Sequence, residues 1–426
     1  MALLALFVVF AVLLIIGAPV AIALIVSTIA AAMVVGISPI VVGQQAAADI
    51  SSVGLLAIPL FVFAGELMLK GGISERIIAL ASGLVGRFRG GLAQVSVVAS
   101  TLFGGVSGSA IADISAVGGT MIPQMAKRGY DTDYAVNVTI SAALVALLVP
   151  PSHNMILYSA AAGGGISITA LFSAGVIPAL MLALAVMVTA YVLAVKRGYQ
   201  PEAKVPARAM LKTLVSALPA LVLVLIIFVG IKAGIFTAIE SASIAVVYAV
   251  LITVLVYRSL PMRAFVEAAR GAAKTTGSVL FVIGAAGAFG WMMAYLQVPN
   301  HAVDAMKAIA HDKLTVLALM VLTLLVLGTF MDLAPLIIIA TPIFLPVAKA
   351  YQVDPVHFGV VLILAAGIGL VTPPVGSVLF LGASIGKISV MEAVRGMWPF
   401  YLAGVVVLAL VMIFPQLSLW LPSLVA

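Results

Sequence analysis

The sequence predicts an all-α polytopic membrane protein, a single membrane domain assembled from two related halves. Three observations carry this prediction: an extreme apolar composition, Gly and Pro clusters that break the apolar segments, and the return of those clusters at a fixed spacing.

Hydrophobic residues make up 64% of the 426 residues and charged ones 8%, against roughly 45–50% and roughly 25% in an average soluble domain. A spanning helix needs about 20 mostly apolar residues, so the uncharged stretches supply about ten to twelve membrane-embedded segments. The first acid is Asp49 and the first base Lys70, so the N-terminal run shows neither the basic flank nor the cleavage site of a secretory signal. That run, Met1 to Gly36, is expected to remain in the fold. It exceeds one untilted span, and Gly17-Ala18-Pro19 offers a break. The absence of cysteine excludes disulfides, thiolate catalysis and Cys-ligated metals.

The net charge of +7 is local. Between Lys196 and Lys274 lie ten Lys or Arg (Lys196, Arg197, Lys204, Arg208, Lys212, Lys232, Arg258, Arg263, Arg270 and Lys274) against Glu202, Glu240 and Glu267. Most flank an apolar hairpin, about 213 to 257, and the positive-inside rule makes those loops cytoplasmic. Nothing here lays a basic face along a duplex, so nucleic acid is not an expected partner and the lipid bilayer is.

Helix breakers recur inside the apolar segments: Phe103-Gly104-Gly105-Val106-Ser107-Gly108-Ser109, Val149-Pro150-Pro151-Ser152, Ala162-Gly163-Gly164-Gly165 and Val371-Thr372-Pro373-Pro374. Proline removes a backbone donor and clashes with the preceding turn. Unpaired backbone in hydrocarbon survives only where protein or a water-filled cavity covers it. Breaks at membrane depth therefore mark a site. They also repeat: Pro123 to Pro150-Pro151 and Pro346 to Pro373-Pro374 each span 27 residues, a shift of 223 that also carries Gly105 onto Gly328 and Asp131 onto Asp354. Ile166-Ser167-Ile168 matches Ile388-Ser389-Val390, Gly175 and Pro178 match Gly396 and Pro399, and Leu60-Phe61-Val62 matches Leu280-Phe281-Val282 at neighbouring shifts. The expected division is a first repeat over about 45–195, a scaffold hairpin flanked by cytoplasmic loops over about 196–264 and a second repeat over about 265–415. Sequence alone does not show whether the repeats are parallel or inverted; carriers with paired interrupted segments in matching positions usually have inverted ones, with substrate and ions near the midplane at the breaks.

Ionisable groups at membrane depth are costly and default to functional roles. Asp113 follows the turn Ser107-Gly108-Ser109, and Asp332 follows Gly328-Thr329-Phe330-Met331, so each half offers oxygen ligands at matching depth. Candidate Na+ ligands are the carbonyls around Gly105, Gly108, Gly328 and Met331, the Asp332 carboxylate, and the hydroxyls of Ser107, Ser109 and Thr372. Equally open is a structural role, with the hydroxyls bonding back to their own helix and the aspartates capping neighbours. The intervals 91–126, 134–195, 314–348 and 358–386 contain no Lys or Arg. An anionic substrate there is expected to rest on helix N-termini and bound cations, which points to cation-coupled uptake. Candidate substrate ligands are Ser107, Ser109, His153, Asn154 and Asp332, with His153 and Asn154 alternatively satisfying backbone freed by the prolines. Pro150, Pro151, Pro373 and Pro374 are the structural breaks, and Glu66 and Glu240, which adjoin no break, read as structural.

An enzyme reading rests on Gly105-Val106-Ser107-Gly108 with His153 as the base of an intramembrane serine protease. In the second half the equivalents of Ser107 and His153 are Phe330 and Gly376, so the break recurs where the dyad does not. No phosphate loop is present either, leaving an ion gradient as the energy source.

The chain resembles the large membrane subunit of the tripartite ATP-independent periplasmic (TRAP) transporters, the DctM-like family, nearly end to end. The resemblance is carried by Ile58-Pro59-Leu60-Phe61-Val62, Gly71-Gly72-Ile73, Gly90-Gly91-Leu92-Ala93, the run Phe103 to Asp113, Pro150-Pro151-Ser152 and Gly369-Leu370-Val371-Thr372-Pro373-Pro374-Val375-Gly376. Many relatives read Ile-Pro after Pro-Pro-Ser, where this chain has His153-Asn154. The resemblance implies an elevator-type carrier with inverted repeats, in which two re-entrant helical hairpins and the broken helices move against a scaffold. The hairpin tips would lie near Ser107–Ser109 and Met331–Asp332. It also implies Na+ as coupling ion, a separate small four-helix (DctQ-like) membrane subunit and a periplasmic binding protein. The substrate would be a carboxylate such as a C4-dicarboxylate, sialic acid or sugar acid, and the location a bacterial inner membrane. A stand-alone divalent-anion symporter or ion antiporter is the alternative of the same chemistry.

Overall fold

The computed structural model describes residues 1–51, 53–201 and 206–424. Glu202 and Lys204 of the basic cluster lie outside the described residues, as do the side chains of Val106 and Lys232. The described chain is helical throughout, with one isolated backbone bridge between Arg89 and Pro201.

The N-terminal run divides at the expected place. Helix α1 (Ala2–Ile15) stops before Gly17, whose φ is +86°, and α2 (Val20–Val34) starts behind Pro19. Then come α3 (Pro39–Ile50), α4 (Ala57–Lys70) and α5 (Ile73–Val85). A first hairpin descends along α6 (Gly91–Ser107), turns at Gly108 and Ser109, and returns through α7 (Ala110–Asp113), a π-helical turn (Ile114–Gly118) and α8 (Gly119–Lys127). A broken helix follows: α9 (Thr132–Ala143), the proline pair, and α10 (His153–Ala161). After α11 (Ile168–Lys196), an apolar pair α12 (Ala207–Lys232) and α13 (Ala238–Leu251) leads to α14 (Met262–Tyr295) and α15 (Val298–Ile309). Hairpin and broken helix then recur as α16 (Lys313–Gly328), α17 (Leu333–Ala350), α18 (Pro355–Gly369) and α19 (Ser377–Gly386), with α20 (Val390–Ile413) and α21 (Gln416–Ser423) closing the described chain. The peptides Pro150-Pro151 and Pro373-Pro374 are both cis.

Six described helices are long and apolar enough to cross a bilayer, and the bent pair α3–α4 makes a seventh when counted as one span. Most of the other membrane-embedded segments anticipated from the sequence are shorter. The 16-residue α16 reaches only about 24 Å, less than the ~30 Å hydrocarbon core. Short arms of this kind end inside the protein, where neighbouring chain covers their termini.

The first halves of the two broken helices form the core. Every residue of α9 from Tyr134 to Ala143 and of α18 from His357 to Gly369 is buried. From Phe358 to Gly369 α18 is apolar all round and has no polar face to turn outward, while α9 buries the hydroxyls of Thr139 and Ser141 by donating them to its own Ala135 and Asn137 carbonyls. Close packing there depends on missing side chains. A Cβ on Gly369 would lie 2.6 Å from the Gly328 Cα, so α16 and α18 meet backbone to backbone. In the first half Gly104 stands the same way against Ala146, the residue that falls on Gly369 at the 223 shift. The two halves are also tied across: the Tyr158 hydroxyl donates to the Pro355 carbonyl at 2.7 Å, and its ring fills the space a Cβ on Gly359 would need.

Two packing groups result. Helix α4 lies against α13 and α14, and α14 also lies on α2 and α3, while α6, α9, α11, α16, α18 and α20 pack among themselves. The groups meet where α14 packs on α17 and α4 on α6 and α10, and α5 joins α6 to α12. At the rim, Arg197 pairs with Asp131 and Asp133, each at 2.9 Å, clamping the end of α11 to the start of α9. Asp354, the counterpart of Asp131, instead caps α18 by accepting from the amides of Val356 and His357. Glu240 and Thr237 close a capping box at the start of α13, the structural role expected for that acid.

Candidate substrate and ion site

The first hairpin tip is built on Gly108, in the left-handed region at φ +58°. A side chain there would lie 2.8 Å from the Pro151 carbonyl oxygen, so only glycine lets the tip seat against the broken helix. Asn154, buried just past the proline pair, donates its side-chain amide to the Gly108 carbonyl at 3.0 Å. Ser109 caps α7 by accepting from the Ala112 amide at 3.3 Å, and the Ser107 oxygen accepts from the Ser109 amide at 3.5 Å. Both hydroxyls keep acceptor capacity for a further partner.

The second tip is seated by its backbone. The Thr329 carbonyl accepts from the amides of Val375 and Gly376, at 3.1 and 3.2 Å, just past the second proline pair. Asp332 occupies the N-cap position of α17 but makes no side-chain cap bond, and its carboxylate is exposed.

Both tips open onto one cavity of about 600 Å³. Hairpin residues Phe103, Ser107, Ser109 to Ala112 and Ser115 line one side, joined by His153 and Asn154 from α10 and by Asp332 to Pro335 from α17. The opposite side comes from the other packing group: Ile58, Val62, Gly65, Glu66 and Leu69 of α4, and Lys274, Thr275, Ser278, Val279 and Val282 of α14. A second cavity of about 320 Å³ lies behind the second tip, between Thr329 to Asp332 and Val375 to Ser377, so Asp332 borders both.

The sequence candidates separate into two sets. Ser107, Ser109, His153, Asn154 and Asp332 share the larger cavity, and Met331 and Asp332 border the smaller one. Gly105, Gly108, Gly328 and Thr372 line neither. Gly105 packs on Val224 and the Pro150 carbonyl, Gly328 packs on Gly369, and the Thr372 hydroxyl donates back to Ile368 at 2.8 Å. Asp113 is fully buried beneath the tip and also lines neither cavity.

Two charged residues that the breaks do not mark also border the larger cavity: Glu66, read from the sequence as structural, and Lys274. The basic-free intervals cover the breaks themselves, whereas Lys274 comes from α14, which crosses the site from elsewhere in the chain. The available signal was the polar group Lys274, Thr275 and Ser278, on one face of an apolar helix at i, i+1 and i+4.

Residues 7–417 match the family model described as "Tripartite ATP-independent periplasmic transporter, DctM component". The chain belongs to the DctM family. It is thus a multi-pass membrane component of a TRAP transporter and not an enzyme, even though Ser107 and His153 share the cavity. Among its relatives, a sialic acid TRAP transporter large permease protein of Vibrio cholerae is 39% identical over 381 residues, covering 89% of this chain and 89% of that protein. A 2,3-diketo-L-gulonate TRAP transporter large permease protein of Escherichia coli is 34% identical over 366 residues, 86% of each. The fold is similar to that of the Alcanivorax borkumensis YdaH transporter, with a TM-score of 0.62 and 14% identity over 90% of this chain and 87% of that one. That likeness shows the all-helical fold of this DctM chain.

Proposed function

We propose that this DctM chain is the carrier subunit of a Na+-coupled TRAP transporter that imports a small organic acid across a bacterial inner membrane. One observation carries the reading: two hairpin tips, one from each half of the chain, meet at a single cavity with the Asp332 carboxylate and the hydroxyls of Ser107 and Ser109. Na+ takes oxygen ligands, and helix breaks at membrane depth supply carbonyls for it. The donors present at the tips are all oxygens, with Asp332 uncapped, so the site suits a hard cation. Gly105, Gly108, Gly328, Met331 and Thr372 would contribute through backbone carbonyls or hold the tips in place.

The acid is a carboxylate such as a sialic acid or a sugar acid, the kinds named for the relatives, or a C4-dicarboxylate. Its carboxylate needs compensating positive charge, which bound Na+ provides. Delivery is by a periplasmic binding protein, and a small four-helix membrane subunit completes the complex. The halves over 45–195 and 265–415 are related by inversion, and the hairpins with their broken helices move as a body against α4, α13 and α14. The two packing groups on either side of the cavity support that division.

The test is reconstitution with a four-helix subunit and a binding protein from the same gene neighbourhood. Uptake into proteoliposomes should require an inward Na+ gradient and the binding protein. Uptake indifferent to Na+ removes the coupling, and equal uptake without binding protein favours a stand-alone carrier.

A further inference from the structure

We infer that Lys274 is the anion ligand of this cavity, contributed by the helix group opposite the hairpin tips. The inference rests on the transport reading above and deepens it by naming the residue that meets the substrate's carboxylate.

Lys274 is the last charged residue of α14, after Arg263, Glu267 and Arg270, and stands where the uncharged run 275–295 begins; a charge at the edge of a span is kept in water or against an opposite charge. Lys274 lies twelve residues into the 34-residue α14, about 18 Å from its start, and is exposed where it borders the cavity. Among the described residues, no carboxylate closes an ion pair with it; the nearby pairs are Lys70 with Glu267 and Arg263 with Glu267, at the start of the helix. Thr275 and Ser278 stand beside it on the same wall, adding hydroxyls of the kind that fix a carboxylate's orientation. It is the one Lys or Arg among the described side chains of the cavity wall, facing two hairpins, of which the first contributes hydroxyls and the second the Asp332 carboxylate, with His153 of α10 beside them.

Glu66 of α4 borders the same wall: its carboxylate lies against Gly271, 3.2 Å from where a Cβ would be, one turn ahead of Lys274 on α14. An arriving carboxylate takes the ammonium's free hydrogen-bonding positions, while Na+ at the tips neutralises its far side.

The position gives the contact a direction. Lys274 is two turns, about 10 Å, beyond Glu267 at the end of α14 next to the basic loops, which the positive-inside rule makes cytoplasmic. The hairpin tips belong to the other packing group. An acid held by both walls is held only while the groups stand as they do here. Lys274 is thus a ligand of one orientation, on the cytoplasmic side, and lets go when the groups separate.

The chain has no cysteine, so a Ser278→Cys variant reports the potential beside Lys274 directly. In the reconstituted complex, Lys274→Gln in that background should lower the ratio of labelling rates for an anionic over a cationic methanethiosulfonate reagent by about tenfold, with Lys274→Arg restoring it. Uptake is measured in parallel with N-acetylneuraminate, 2,3-diketo-L-gulonate and succinate. For whichever acid the wild type carries, Lys274→Gln should raise the half-saturating acid concentration about tenfold and leave half-saturating Na+ unchanged. An unchanged labelling ratio, or an unchanged acid requirement, overturns the inference while leaving the transport reading intact. Lys274→Arg behaving like Lys274→Gln, with acid and Na+ shifted alike, overturns it in favour of a packing role. A wild type that carries none of the three acids removes the substrate class, and the inference with it.

Discussion

Asn154 reaches from the far side of a proline pair to the Gly108 carbonyl at 3.0 Å, so a side chain of the first broken helix holds the first hairpin tip in place. The second half achieves the same seating with backbone alone, through the amides of Val375 and Gly376 on Thr329. Asn154→Ala removes a buried hydrogen bond and leaves a carbonyl unpaired, a loss of about 1–3 kcal/mol. Faster amide exchange across residues 105–112, with the second tip unchanged, is the expected result in hydrogen-exchange mass spectrometry. Equal exchange in variant and wild type would show that the bond does not hold the tip.

Asp332 borders both cavities and caps nothing with its side chain, so its carboxylate is available for a cation. Asp332→Asn keeps the shape and removes the charge. We expect the half-saturating Na+ concentration for uptake to rise about tenfold or more, with membrane expression at the wild-type level. Normal Na+ dependence would make Asp332 a structural residue of the tip.

The contact of Gly328 with Gly369 leaves no room for a methyl group. Gly369→Ala forces α16 and α18 apart and should cost about 1–3 kcal/mol, read as a lower melting temperature of the purified chain. Gly119→Ala is the control: it is also helical but faces open space, and there alanine should be neutral or stabilise by about 0.5–1 kcal/mol. Equal effects would mean that the approach of the two helices is not limiting.

Tyr158→Phe keeps the ring over Gly359 and deletes only the bond to Pro355, the tie between the two broken helices. A loss of about 1 kcal/mol is expected in thermal unfolding. Tyr158→Ala, which also opens a cavity, should cost about 3–5 kcal/mol.

Much of this architecture is legible in the chain because its devices are local. Proline pairs, Gly108 and the matched spacing of 223 residues mark the breaks and the two tips without any knowledge of packing. What sequence does not show is which distant helix closes the cavity. Glu66 and Lys274 are brought to the site by α4 and α14, and their distance from any break hides them. Glycine is ambiguous in the opposite sense. Gly105 and Gly328 attract attention as possible carbonyl ligands, and here they also give close helix contact, a role that depends on neighbours about 40 or more residues away. Asp131 and Asp354 match in sequence, but one pairs with Arg197 and the other caps a helix, so symmetry of position does not carry symmetry of partner.

The burial of α9 and α18 on every face bears on how this carrier is studied by mutation. Neither helix contributes a described residue to the wall of the larger cavity. A saturation scan scored on uptake would still mark both along their whole length, since almost any change of volume at a fully enclosed position disturbs packing. The cavity wall, with space in front of each side chain, would accept many shapes and reject only changes of charge or hydrogen bonding. In such a scan the strongest signal traces the frame, and the cargo's path appears as positions that are tolerant of size but selective for chemistry.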